Sequence, residues 1–216
     1  ILMERALYLK FLNKEKKKLE VEGLFKEHYK KKLPFLPKKI GIITSPTGSV
    51  IMDIIDRIKN RFPTHLELFP ISVQGAKSAK EIVSGVVFFN EYSKVDLIII
   101  ARGGGGAEDF LPFNDENVVR AAFQSNIPII SAIGHETDFS LLDFVADVRA
   151  ATPTAAAEIA VPEIKNLERQ LLDIFKNLKF TMELVFKNAN EDLINFSKFL
   201  NRKSLEDFIK ESKKTL

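Results

Sequence analysis

Three textures of apolar and polar positions follow one another along the chain. In residues 1–32 the apolar residues Leu2, Ala6, Leu9, Leu12, Leu19 and Leu24 recur at helical spacing, and "LPFLPKK" then marks a boundary with two prolines. From Lys39 the pattern becomes short continuous apolar runs: "KIGIITS", "HLELFPISV", "VDLIIIAR" and "IPIISAIG". Amphipathic helical patterns lie between them near residues 49–61, 78–91 and 114–125. Apolar strands that alternate with helices predict an α/β fold whose parallel sheet is covered on both faces. The expectation is a four-stranded, doubly wound, Rossmann-like sheet. "RAATPTAAAEIAVPE" reads as a turn into a helix, with Thr154 as its N-cap and a mainly structural role.

The third texture begins at Pro162. Ile164, Leu167, Leu171, Ile174, Leu178, Met182, Val185, Ala189, Leu193 and Phe196 advance in steps of three or four. This heptad-like stripe predicts a long C-terminal coiled-coil helix of roughly 38 residues, a rod of roughly 55–60 Å. So long a stripe needs another helix against it, either a returning one or a partner's. The break at "NRKS", with Ser204 as an N-cap, allows a return turn. The expected organisation is a helical linker segment over 1–38, an α/β domain over 39–161 and a truncated helical arm over 162–216.

Composition changes this picture little. The 216 residues are 45% hydrophobic and 28% charged, as in a water-soluble globular protein. The absence of cysteine excludes disulfides, thiol catalysis and cysteine-bound zinc, and fits a reducing compartment. No apolar run reaches the length that spans a membrane. The opening "ILMERALYLK" carries neither a leading methionine nor an export signal, so the chain reads as an excised fragment of a cytoplasmic protein. The net charge is +3, but lysines crowd the first forty residues in "NKEKKK", "YKKK" and "PKK". These are either a solvated helix face or a tract that follows phosphates.

The candidate chemistry lies where the strands end. In such a sheet, ligands collect beyond the carboxyl ends of the strands. Here those ends carry "TSPTGS", "SVQGA", "RGGGGAED" and "GHETDFS". The glycine run is not a P-loop, because no Gly-Lys-Ser/Thr follows, and it fails G-x-G-x-x-G in every register. Instead Gly103, Gly104 and Gly105 can bring backbone N–H groups close to an anion, and Arg102 adds a planar fork of donors matched to phosphate. As a loop residue, Arg102 is expected to add little to stability. Ser45, Thr47, Gly48 and the N–H of Ser49 form a further set of phosphate donors at a helix N-terminus. Asp53 falls off the buried stripe of its helix, where it either pairs with Arg57 or serves the site. His135 and Asp138, three apart, are either a general base with its orienting carboxylate or two metal ligands; the plain alternative is a capping histidine.

Together, "KKIGIITSPTGSVIMDI", "ARGGGGAEDFLPFNDE", "SAIGHETDFSLLDFVADVRAATPTAAAEIAVP" and "LEVEGLF" closely resemble the large subunit of exodeoxyribonuclease VII. The resemblance implies a nuclease that degrades single-stranded DNA from either end to oligonucleotides and nucleotides bearing 5′-phosphates. It implies several small helical subunits along residues 162–200 and no membrane association. It places catalysis on Asp53, Arg102, His135 and Asp138. One histidine and two carboxylates can bind Mg²⁺, though nothing in the sequence requires it. The roles of Glu108 and Asp109 stay open. Gly106 and Ala107 stand where the family has Ser-Leu, and "ATPT" stands for Pro-Thr-Pro-Ser. The family's large subunit opens with an OB-fold, and this chain contains no such five-stranded pattern. Two other readings stay open: a non-catalytic phospholigand-binding domain on a coiled-coil scaffold, and a small-molecule phosphohydrolase of the same fold class.

Overall fold

The computed structural model describes residues 2–75, 77–104, 107–134, 139–200 and 202–214. It divides into two compact units, residues 1–164 and 165–216.

The first unit is built on a parallel sheet. Its strands are β1 (Lys39–Thr44), β2 (His65–Pro70), β3 (Leu97–Ala101), β4 (Ile129–Ala132) and β5 (Val148–Arg149), in the order β2-β1-β3-β4-β5. Ile42 stands opposite Leu68 of β2 on one side and Ile99 of β3 on the other. The sheet therefore has five strands, not four. The fifth was illegible because it has only two residues, both half-buried, and no apolar run of its own. It exists because β4 offers a ladder: Ala150 N–H donates to Ser131 O at 2.8 Å, just past the paired residues.

Alternate residues of the central strands enter two separate apolar clusters. Ile40, Ile42, Leu97, Ile99 and Ile130 pack with α2 (Ser49–Arg61) and α6 (Pro153–Ala160). Ile43, Ile98, Ile100 and Ile129 pack with α3 (Ser78–Glu91), α4 (Glu116–Gln124) and α5 (Leu141–Val145). This is why β1 and β3 are apolar without alternation: both faces are covered. β2 is different. None of its residues is buried, as suits an edge strand, and it stops at Pro70, short of the run predicted to Val73.

Helix starts depend on local chemistry. Asp115 caps α4 by accepting from Asn117 N–H at 2.8 Å. Ser140 and Asp143 form a reciprocal capping box on α5, a helix the sequence pattern did not reveal. Thr152, not Thr154, caps α6 and accepts from Ala155 N–H at 3.0 Å. Pro153 explains the difference, since proline suits the first helical position and leaves the preceding residue as the cap.

The N-terminal helix α1 (Leu2–Val21) ends in a turn at Gly23, whose φ of 86° favours glycine. Leu19 and Leu24 are buried in the core beside α3 and α4. Two lysines of the basic run serve this docking. Lys18 reaches Glu116 at 2.7 Å, and Lys16 lies 3.9 Å from the Phe144 ring centroid.

The second unit carries α7 (Ile164–Phe199) and α8 (Arg202–Lys214). At 36 residues α7 is about 54 Å long, and no residue along it is buried. Ser204 lies inside α8 rather than at its cap.

Candidate active site

The chain leaves β1 for β2 on one side of the sheet, while β3 lies on the other side of β1. Loops after β1 and β3 must therefore diverge, which opens a crevice at the carboxyl ends of these strands. A cleft of about 150 Å³ sits there.

Arg102 contributes the positive charge. It follows β3 directly, and its backbone N–H donates to Ala132 O at 3.1 Å, one step beyond the ladder. The side chain lines the cleft yet the residue is only 5% exposed. Its Nη2 donates to Asp109 Oδ2 at 3.1 Å, and its guanidinium carbon lies 4.2 Å from the Phe110 ring centroid. The side chain is thus buried and paired rather than exposed on a loop, and this bears on its expected share in stability. Its removal would leave Asp109, a carboxylate 16% exposed, without this cation and is expected to cost about 1–3 kcal/mol.

Gly103 and Gly104 line the same cleft. Neither has positive φ, so backbone strain does not call for glycine at either position. A Cβ on Gly103 would meet Val50 Cγ2 at 3.2 Å, whereas one on Gly104 would meet nothing within 4 Å. Opposite them stand Ser49, Val50 and Asp53 of α2. Gly48 caps this helix without a side-chain hydrogen bond. Ala151 and Pro153, at the start of α6, complete a second helix N-terminus on the cleft wall. Two helix N-termini, bare glycine backbone and a buried arginine together favour an anion.

Asp53 is exposed and makes no hydrogen bond or ion pair among the described residues. Arg57, its alternative partner, donates instead through Nε to Glu158 Oε1 of α6 at 2.7 Å. Ser45, Thr47 and Gly48 adjoin the cleft in sequence but do not line it; the two hydroxyls lie 3.4 Å apart, within hydrogen-bond reach of each other. Gly105, His135 and Asp138 lie outside the described residues, although Gly134, just before His135, lines the cleft. The described residues gather no group of three metal-ligating side chains.

Sequence reasoning missed Phe110 and Pro153 and left the role of Asp109 open. Proline at a helix start was a visible signal for the last. Nothing local marks Asp109 and Phe110 as neighbours of Arg102.

With this geometry in place, comparison with known proteins is decisive. The family model described as "Exonuclease VII, large subunit" matches residues 24–216. The chain belongs to the exonuclease VII large-subunit family. The exodeoxyribonuclease 7 large subunit of Anaplasma phagocytophilum is 48% identical over 189 residues, covering 87% of this chain and 48% of the relative. That of Rickettsia bellii is 51% identical over 197 residues, covering 90% and 44%. That of Clostridioides difficile is 46% identical over 203 residues, covering 88% and 50%. The chain thus spans half or less of the length of these relatives. The family match runs through the cleft residues and along both helices of the second unit. Among the described residues no helix is long and apolar enough to cross a membrane.

Proposed function

We propose that this region is the catalytic part of a nuclease that hydrolyses single-stranded DNA from both ends, releasing oligonucleotides and nucleotides with 5′-phosphates. The observation that carries the reading is the meeting of Asp53, Arg102 and bare glycine backbone in one cleft at the ends of β1 and β3. In this reading the sheet is a doubly wound one that handles phosphates at its switch point. Arg102 and the N–H groups of Gly103 to Gly105 hold the scissile phosphate and stabilise charge on its oxygens as water attacks. Water adds to phosphorus, the bond to the 3′-oxygen breaks, and that oxygen takes up a proton, which leaves the phosphate on the 5′ side. His135 accepts the proton of the attacking water or donates one to the leaving oxygen, with Asp138 orienting its ring. Asp53 positions the water. No cysteine is needed at any step, and the reducing cytoplasm is the compartment we assign.

The partner reading rests on α7. Leu171, Leu178 and Val185 are 66%, 57% and 60% exposed on one long helix, an apolar stripe that needs a cover. Small helical subunits of the enzyme fit this stripe as coiled-coil partners.

The test uses the full-length large subunit with its small subunits and an end-labelled single-stranded oligonucleotide under single-turnover conditions. Arg102→Lys keeps the charge and loses the planar fork. Both Arg102→Lys and Arg102→Ala are expected to slow cleavage by at least about 10²-fold. Near-normal cleavage by Arg102→Ala would move catalysis away from this cleft and favour a phospholigand-binding role for it.

A further inference from the structure

The side chain of Arg102 is 4% exposed, and such burial is costly for a cation unless a partner offsets it. Among the described residues, two groups hold the guanidinium. Asp109 Oδ2 accepts from Nη2 at 3.1 Å, and the Phe110 ring lies under the guanidinium carbon at 4.2 Å. Both come from the 3-10 helix Ala107–Asn114, whose far end is itself tied down. There Asn114 Oδ1 accepts from the buried N–H of Leu141 at 2.7 Å. Asp109 is therefore not a solvent carboxylate that meets the arginine by chance. A guanidinium presents five donors in one fixed plane. An acceptor on its edge and a ring on its face together stop that plane from turning. They also leave the charge in place whether or not a phosphate is bound.

We propose that Asp109 is a positioning residue for phosphodiester cleavage: with Phe110 it sets the plane in which Arg102 meets the scissile phosphate. The proposal rests on the reading of Arg102 as the phosphate's partner. Asp109 touches no reacting atom. Its effect passes wholly through the arginine.

That last point gives the test. In the full-length enzyme with its small subunits, single-turnover cleavage and equilibrium binding of a labelled single-stranded oligonucleotide are measured for Asp109→Ala, Asp109→Asn, Arg102→Ala and the double variant Arg102→Ala/Asp109→Ala. Asp109→Ala is expected to slow cleavage by about 10–100-fold, the usual effect of losing an orienting partner, with DNA affinity changed only a few-fold. Asp109→Asn keeps an acceptor of the same shape and is expected to fall between wild type and Asp109→Ala. It carries the test if Asp109→Ala fails to fold. In the Arg102→Ala background, loss of Asp109 is expected to add less than about threefold, because no guanidinium remains to be oriented. Multiplying losses in the double variant would overturn the proposal and give Asp109 a role of its own. Unchanged or faster cleavage by either Asp109 variant would also overturn it. Near-normal cleavage by Arg102→Ala would instead sink the reading of the cleft itself.

Discussion

Helices α2 and α7 carry the same kind of apolar stripe and meet opposite fates. In α2, Val50, Ile51, Ile54 and Ile58 are at most 6% exposed against the sheet. In α7, with its residues at the same three-and-four spacing, none is buried. Periodicity states that a face must be covered; it does not state by what. For α2 the cover is the chain's own: β1 just before it, β3 and β4 after it, and α6 about a hundred residues on. For α7 the polar side is laced by exposed pairs such as Lys179–Glu183 and Lys187–Glu191, each worth only a few tenths of a kcal/mol. The first unit is held by its core, whereas the stripe of α7 stays exposed.

The largest expected effect breaks that contrast at the partner side. Replacing Leu171, Leu178 and Val185 together by Asp is expected to abolish capture of small subunits by the full-length large subunit, a loss of several kcal/mol of association. The melting of the first unit should not move. Retained capture would show that the stripe does not receive the small subunits.

Next come single truncations read by urea denaturation of the chain alone. Ile54→Ala, at a fully buried position, should cost about 2–5 kcal/mol. Leu178→Ala, at a position 57% exposed, should stay within about 0.5 kcal/mol. Equal losses would mean that α7 is covered by this chain itself.

Two glycines sharpen the comparison within the first unit. A Cβ on Gly41 would stand 2.8 Å from the ring of Phe89, itself fully buried, so Gly41→Ala should cost about 1–3 kcal/mol in a thermal melt. Gly104→Val enters open space and should leave the melt unchanged while slowing cleavage by about 10²-fold. A destabilised Gly104→Val with normal cleavage would reverse the roles assigned to these two positions.

The smallest effect concerns pH. Lys39, and after it Ser93, hold the Glu67 carboxyl below its ordinary value of 4.5 through hydrogen bonds to the charged form. A lowered folded value means that Glu67 stabilises the fold above about pH 4.5 and that the contribution fades as pH falls through the folded value. Denaturation curves between about pH 6 and 3 should therefore fall more steeply for the wild type than for Glu67→Gln, by under about 1 kcal/mol for so open a pair. Parallel curves would assign the acid sensitivity of the first unit to other groups.

The sequence alone determined the elements whose pattern repeats locally. α2 and α3 span the residues 49–61 and 78–91 that periodicity predicts, and β1, β3 and β4 lie inside their apolar runs. Side-chain alternation and helical spacing are properties of a few consecutive residues, so they can be read without knowing the fold. The end of β3 also marked Arg102, Gly103 and Gly104, because glycine and charge directly after a buried run have few uses in a core, and Asp53 stood out by falling off the buried stripe of α2. Other features were decided only by the tertiary structure. β5 exists because β4 offers it a ladder, and the buried state of Arg102 depends on Asp109 and Phe110 arriving beside it. The turn of Arg57 away from Asp53 requires Glu158, 101 residues distant. Pro153 reaches the cleft only once α6 packs beside α2. Glu158 is remote from Arg57 in sequence, and even Asp109 and Phe110, seven and eight residues past Arg102, meet it only after the loop has folded back. Each gain therefore appears once the chain has closed on itself and the entropy of that closure has been overcome.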